Sequence, residues 1–270
     1  MSMDLPAPQG AWDYFDKHRR ILWALLMREL STRYGRDNIG YLWVIVEHMC
    51  FAGGVAILWL VIRPPYEHGV KVLPFVITGY LPLILMRQTM TFAVTGVKVN
   101  SDLLYHRMIT PLHIMLTRCA IEIIGISMAF VVIGSALMLV GVIPPFQNFL
   151  DLGYVYTGWF VLAWMSTGMA LILASLGEIF EFVERLVQVT TYILVPISGA
   201  YYMAAWVPAW ARPYMLALPF VHCFEIIRHG FFGEFITTYF NMGYAIAWAA
   251  IFTFIGLALA LFVRNRVEVQ

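Results

Sequence analysis

The stretch Tyr201–Gly233, YYMAAWVPAWARPYMLALPFVHCFEIIRHGFFG, is apolar enough to enter a bilayer but too broken to cross one. A spanning helix needs about 20 mostly apolar residues in a row. Pro208, Pro213 and Pro219 each remove a backbone donor and clash with the turn before them. Pro208 and Pro219 stand where a first helical turn tolerates proline, and Gly230 and Gly233 stand where a short helix can stop. The simplest solution is a pair of half-helices over about residues 206–233 that enters the membrane and returns on the same side. Broken backbone at membrane depth survives only against protein or beside a water-filled path. The pattern therefore predicts the lining or gate of a passage, with a loop lying on the membrane surface as the alternative.

The rest of the chain supports a membrane setting. Of its 270 residues 61 % are hydrophobic and 12 % charged, against about 45–50 % and about 25 % in soluble domains. This excludes an ordinary soluble globular protein. A formal net charge of +1 gives no reason to expect a nucleic-acid partner. Cys50, Cys119 and Cys223 fall in apolar segments without paired spacing and read as small buried residues. No short apolar region with a cleavage site precedes the first long apolar block, so that block is expected to insert uncleaved.

The expected fold is an all-α integral membrane protein with six spans, an N-terminal interfacial helix and an outward re-entrant hairpin before the last span. Residues 1–38 read as a cytoplasmic arm. Within it, Trp12, Phe15, Leu22, Leu26 and Leu30 recur at helical spacing among Lys17, Arg19, Arg20, Arg28 and Arg33, which predicts a basic amphipathic helix lying at headgroup depth. Residues 39–270 read as one permease domain with spans near 39–62, 72–96, 111–142, 152–176, 186–205 and 243–263. With six spans both termini share a side. Of seventeen Lys and Arg, twelve fall in the arm, the loops after spans two and four and the tail, including Arg118 just inside span three. Only Arg63, Lys71, Arg212 and Arg228 fall opposite, and Arg87, within span two, completes the seventeen. The positive-inside rule then makes both termini cytoplasmic and turns the broken stretch outward.

Ionisable residues at membrane depth are costly and mark functional or bracing positions. Glu47 in span one, Arg87 in span two and Glu122 in span three each lie roughly 12–13 Å from the cytoplasmic end of their helix at 1.5 Å per residue. They are expected to form a polar layer, either pairing with one another or, through Arg87, meeting an anionic substrate. In the hairpin, His222, Glu225 and Arg228 recur every three residues and share a helical face. An internal pair holding the hairpin in shape is the plainer reading, and a contact to substrate the sharper one. Trp43, Trp59, Tyr201, Tyr202, Trp206, Trp210 and Tyr214 suit an interfacial belt, and their flat rings also suit a sliding sugar chain.

No catalytic constellation appears. The sequence lacks G-x-x-x-x-G-K-[ST], H-E-x-x-H and G-x-S-x-G, and no histidine–cysteine cluster has metal spacing. No metal and no cofactor is expected in this chain, so energy for uphill transport must come from a partner. Glu178, Glu181 and Glu184 read as a solvated face. The segment Lys98–Pro111, KVNSDLLYHRMITP, is expected to form a short helix capped by Asn100, Ser101 or Asp102 and ended by Pro111. That helix, with the arm around Arg28, Glu29 and Arg33, offers a surface for a motor subunit.

Three segments in order carry a resemblance. Arg28–Glu47, RELSTRYGRDNIGYLWVIVE, resembles the entry motif of the type-two ATP-binding-cassette exporter permeases for capsular polysaccharide, O-antigen and teichoic acid. NSDLLYHRMITPLHIMLTR resembles their coupling region, and ISGAYYMAAWVP with LALPFVHCFEIIRHGFFG resembles their outward hairpin. The capsule-exporting group is the most similar. The chain departs from the common pattern at His48, where a proline usually follows the glutamate, and at Leu218, where an asparagine usually precedes the proline.

The resemblance implies a homodimer bound to two copies of a cytoplasmic ATPase that consumes ATP and Mg. It implies export of a lipid-linked glycan across a bacterial inner membrane, then handover to a periplasmic adaptor and an outer-membrane channel. It places Arg28, Glu29, Asn100, Asp102 and Leu103 toward the ATPase. It also sets Arg33, Tyr34 and Gly35 near the ATPase and the membrane interface, and the candidate substrate entrance or path comprises Arg33, Tyr34, Arg36, Trp43, Arg87, Tyr201, Tyr202 and Trp206. O-antigen or teichoic acid export, a membrane enzyme acting on polyprenyl-linked sugars, and a non-transporting ATPase anchor are the competing expectations.

Overall fold

A computed structural model describes residues 10–34, 40–64, 66–67, 69–105, 108–142, 149–233 and 236–267. Helix α1 (Ala11–Tyr34) is the amphipathic arm, with Trp12, Phe15 and Trp23 exposed and Leu25 buried. Helices α2 (Gly40–Ile62), α3 (Val72–Val99), α4 (Pro111–Leu139), α5 (Phe149–Ile179) and α9 (Met242–Val267) follow the apolar blocks. Among the described residues, these five helices contain the segments long and apolar enough to cross a membrane. A two-residue hairpin, β1 (Tyr66–Glu67) with β2 (Val70–Lys71), joins α2 to α3.

The core is built on α3 and α5. In their apolar windows 78 % of α3 and 61 % of α5 is buried, against 17 % of α2. Helix α5 packs on α3, α8 (Pro219–Phe232) and α9. Glycine lets backbones meet there. A β-carbon on Gly168 of α5 would lie 2.7 Å from the Thr253 nitrogen of α9, and one on Gly256 of α9 would lie 2.7 Å from Leu171 Cβ of α5. Close approach through small residues is how helices associate where both lipid and side chains are apolar. Pro82 sits inside α3 without ending it.

Two expectations shift. Pro111 does not end a helix; it opens α4 at a first-turn position, where its missing N–H costs nothing. Thr110 is the N-cap, and its backbone N–H donates to His113 Nδ1 at 3.1 Å. The short element before it is a 3-10 helix over Ser101–Tyr105, following the C-cap Asn100.

The second shift concerns residues 186–205. Helix α6 runs over Glu181–Ile197, 17 residues, and at 1.5 Å per residue spans roughly 25 Å. Phe180, in an extended conformation, separates it from α5, and a turn at Gly199 with φ +83° closes it. Val187 and Thr191 are buried, while Phe182, Leu186, Val189, Tyr192, Ile193 and Ile197 are exposed. The broken stretch becomes a 3-10 turn at Ala204–Trp206, a short α7 (Arg212–Leu216) and α8. Pro213 and Pro219 occupy first-turn positions of α7 and α8, and Gly233 with φ +59° caps α8.

Candidate translocation path and its two clamps

Helix α8 is almost wholly buried, from Pro219 to Arg228. Its two charges do not spend their hydrogen bonds on each other. Glu225 Oε1 accepts from the Ala204 backbone N–H at 3.1 Å, and Oε2 accepts from that of Tyr239 at 3.0 Å. Arg228 donates through Nη1 to the carbonyls of Gly199 at 2.6 Å and Tyr202 at 2.7 Å, and through Nη2 to that of Ala200. Its guanidinium lies 4.4 Å from the Phe75 ring centroid. The i, i+3 spacing thus holds the hairpin in shape, as expected, but through main chain: one residue grips the turn after α6, the other the approach to α9. Buried carbonyls at a helix end need donors, and Arg228 supplies them. His222 completes the brace. Its Nδ1 accepts from the Asn241 N–H at 3.0 Å, which leaves Nε2–H to donate to the Leu216 carbonyl at 2.8 Å. Arg212 donates from Nε to the Ala204 carbonyl at 3.0 Å.

At the other end of α3 a second arginine is buried. Arg118 of α4 meets Glu29 of α1 at 2.9 Å. One residue earlier on α1, Arg28 donates to Asn100 Oδ1 at 3.1 Å, and Asn100 Nδ2 donates to the Gly96 carbonyl at 3.0 Å. Helix α3 passes beneath both arginines. A β-carbon at Gly79 would lie 2.9 Å from Arg228 Nη2 and 2.0 Å from the Ala200 carbonyl oxygen, and one at Gly96 would lie 3.0 Å from Arg118 Cγ.

Between the clamps, α2, α3 and α6 carry an aromatic and polar strip. Arg87 lies with its guanidinium 4.2 Å from the Tyr192 ring centroid, and Tyr80 and Tyr201 are near enough to feel its charge. Trp59 stacks on Tyr201 at 5.5 Å, and Arg63 lies 5.3 Å from the Trp59 centroid. His48 and Gln88 are hydrogen-bonded at 2.7 Å. Trp206 tilts against Phe75 at 4.8 Å, and the Tyr202 hydroxyl donates to the Ile197 carbonyl at 3.2 Å.

The anticipated residues therefore fall into groups. Arg28, Glu29 and Asn100 come together, with Glu29 turned inward onto Arg118. Asp102 is exposed and Leu103 half-buried on the 3-10 turn beside them. Tyr201 and Arg87 share the strip, whereas Trp43 is exposed on α2. Arg87 has an aromatic partner, Glu47 is half-buried on α2, and Glu122 is buried near Cys119 on α4. Gly35 and Arg36 lie outside the described residues, and Arg33 and Tyr34 enter only as the last turn of α1. Sequence reasoning counted Arg118 only toward the charge bias and passed over Tyr192. Arg118 had a signal, a cation set in the apolar start of a span; Tyr192 had none beyond its aromatic ring. Among the described residues no cluster of His, Cys, Asp and Glu has the makings of a metal site.

Among the described residues, five membrane-length helices with a braced helical hairpin fit a polytopic membrane protein. The ABC-2 type transporter family model matches residues 20–232, and the chain belongs to that family. The capsule polysaccharide export inner-membrane protein CtrC of Neisseria meningitidis serogroup B is 33 % identical over 259 residues, spanning 96 % of this chain and 97 % of that protein. The capsule polysaccharide export inner-membrane protein BexB of Haemophilus influenzae is 32 % identical over 251 residues, 93 % of this chain and 94 % of its own. The polysialic acid transport protein KpsM of Escherichia coli is 25 % identical over 248 residues, 91 % and 94 % of the two chains. The resemblance read from the three sequence segments is borne out.

Proposed function

We propose that this chain is the membrane-spanning subunit of an ATP-driven exporter that moves lipid-linked capsular polysaccharide across a bacterial inner membrane. The observation that carries the reading is the 33 % identity to a capsule polysaccharide export protein across nearly the whole of both chains. Two copies pair, each with one cytoplasmic ATPase subunit that binds ATP and Mg. A periplasmic adaptor and an outer-membrane channel take the polymer onward.

In this reading α6 is the sixth crossing. It is too short for a full hydrocarbon layer of about 30 Å, so its end and the turn after it lie beside the hairpin, in a hydrated mouth. Both termini are cytoplasmic, α1 lies at headgroup depth, and the α7–α8 hairpin is re-entrant from the outer side. The strip of Trp59, Arg87, Tyr192 and Tyr201 is the path. Rings present flat faces to sugar, and the half-buried Arg87 offers charge to an anionic chain. The bare apolar faces of α2 and α6 meet the second copy around that path. The 3-10 turn at Ser101–Tyr105, tied through Asn100 and Arg28 to α1, receives the motor's stroke.

The test is a deletion strain complemented with the wild-type chain. Deletion traps polymer in the cytoplasm, complementation returns it to the surface, and the co-purified ATPase has its hydrolysis rate altered by this subunit. Normal surface glycan in the deletion strain would end the proposal.

A further inference from the structure

A groove of about 520 Å³ opens between α1, α4 and α5, within the range of about 300–1,000 Å³ typical of ligand-sized clefts. Its walls are almost wholly apolar: Leu22 and Leu26 from α1, Leu116, Ala120 and Ile123 from α4. None of its lining residues comes from α2, α3 or α6, so it shares no wall with the aromatic strip. The polar side chains His18 and Arg19 lie on the same helix, one turn before Leu22 and two before Leu26.

The chemistry at that turn is asymmetric. Lys17, Arg19 and Arg20 stand against one carboxylate, Asp16, which both arginines grip at 2.6 Å. Residues 16–20 keep a surplus of two positive charges, which Asp13 one turn earlier lowers to one. His18 is oriented by a relay. The Thr110 N–H donates to His113 Nδ1, so His113 carries its proton on Nε2 and donates to His18 Nδ1 at 2.7 Å. His18 is then left with its own proton on Nε2, a further donor at the groove. Cations and a donor above an apolar slot match a phosphate above an acyl chain.

We infer that this groove holds an anionic glycerophospholipid of the bilayer, one acyl chain between α1 and α4 and its phosphate at Arg19 and His18. The occupant is a resident lipid that wedges the arm helix onto α4. The inference rests on the headgroup-depth placement of α1 proposed above.

The experiment reconstitutes the full chain into phosphatidylcholine nanodiscs. A trace of phosphatidylglycerol or phosphatidylcholine carrying a photoreactive acyl chain is added, and labelled residues are mapped by mass spectrometry. The anionic probe labels Leu116, Ala120 and Ile123 in preference to the neutral one by roughly fivefold or more, the gain one basic residue gives near an anionic surface. Val131 and Val132, exposed elsewhere on α4, take both probes equally. Ala120→Phe fills the slot and removes the groove labelling while Val131 is still labelled, which shows the helix intact. Arg19→Gln with Arg20→Gln keeps the slot and removes the headgroup preference. Equal labelling by the two probes, or groove labelling that survives Ala120→Phe, overturns the inference. Quenching of Trp12 and Trp23 by brominated lipids is read in parallel. Strong quenching with no groove preference sinks the lipid site alone, and absence of quenching sinks the placement of α1 with it.

Discussion

At the arm end of the molecule Arg118 meets a carboxylate from another helix, Glu29. At the hairpin end Arg228 instead donates to three backbone carbonyls, those of Gly199, Ala200 and Tyr202. Both arginines are buried, and both lie over a glycine of α3: Gly96 beneath the first, Gly79 beneath the second. The two glycines are roughly 25 Å apart along the helix at 1.5 Å per residue. One spine thus carries two clamps made of different materials. A charge pair between side chains tolerates relative movement of its helices, because both side chains have rotatable stems. A charge held by main-chain carbonyls fixes the path of the chain itself. The difference predicts that the hairpin and the end of α6 hold together as one unit, and that the arm is the less rigidly held of the two.

The sharpest way to break this comparison is Arg228→Met. Three carbonyls lose a charged donor, at about 1.5–3 kcal/mol for each such hydrogen bond, against a total stability of about 5–15 kcal/mol for an ordinary fold. The expected result is loss of the monodisperse detergent-solubilised protein on size-exclusion chromatography. Arg228→Lys does not restore it, since an ammonium lacks the planar fork that reaches several carbonyls at once. A well-folded Lys variant would show the turn to be held by charge alone.

The arm clamp is expected to behave differently. Glu29→Leu or Arg118→Met alone removes one side of a buried charge pair and costs about 3–5 kcal/mol. The double variant replaces the pair by apolar bulk and recovers most of that loss. Melting temperatures of the four proteins form the cycle, with a coupling energy of about 0.5–3 kcal/mol expected for residues in contact. A stable double variant that no longer exports polymer would assign the charge pair to transport rather than to stability. Additive losses would make the two residues independent.

What could be read from the chain, and what could not, follows the range of each interaction. Helices α2, α3, α5 and α9 lie within a few residues of the expected spans, because hydropathy is summed over a long window. The resemblance supplied the family. Helix α6 was misplaced because its boundaries depend on single residues. Phe180 breaks an otherwise continuous run, and Gly199 with its positive φ ends the helix eight residues early. Glu181 and Glu184, read as a solvated loop face, enter the first turn of α6, where the helix dipole favours negative charge. The clamps were less visible still. Arg228 has a carboxylate three residues away, which is the pairing local spacing suggests, yet its partners are carbonyls more than twenty residues upstream that have no side-chain signature. Glu29 and Arg118 come from helices far apart in the sequence, and neither residue's neighbours announce the other.

The smallest effect sharpens the contrast between buried and exposed charge. Asp16 of α1 accepts from Arg19 at 2.6 Å and pairs with Arg20 at 2.6 Å, on the exposed face of the arm. The hydrogen bond from Arg19 holds its carboxyl below the usual carboxylate range, and the charge of Arg20 adds to this. A carboxyl whose folded pKa is depressed contributes above its unfolded value and loses that contribution as pH falls through the folded one. Here the pair is open to water and screened by salt. Asp16→Asn is therefore expected to leave the melting temperature at neutral pH within error, and to abolish only a shallow acid-side decline measured at low salt. A large drop at neutral pH would mean that Asp16 is not open to water in the membrane-embedded protein. The arm would then be as rigidly held as the hairpin.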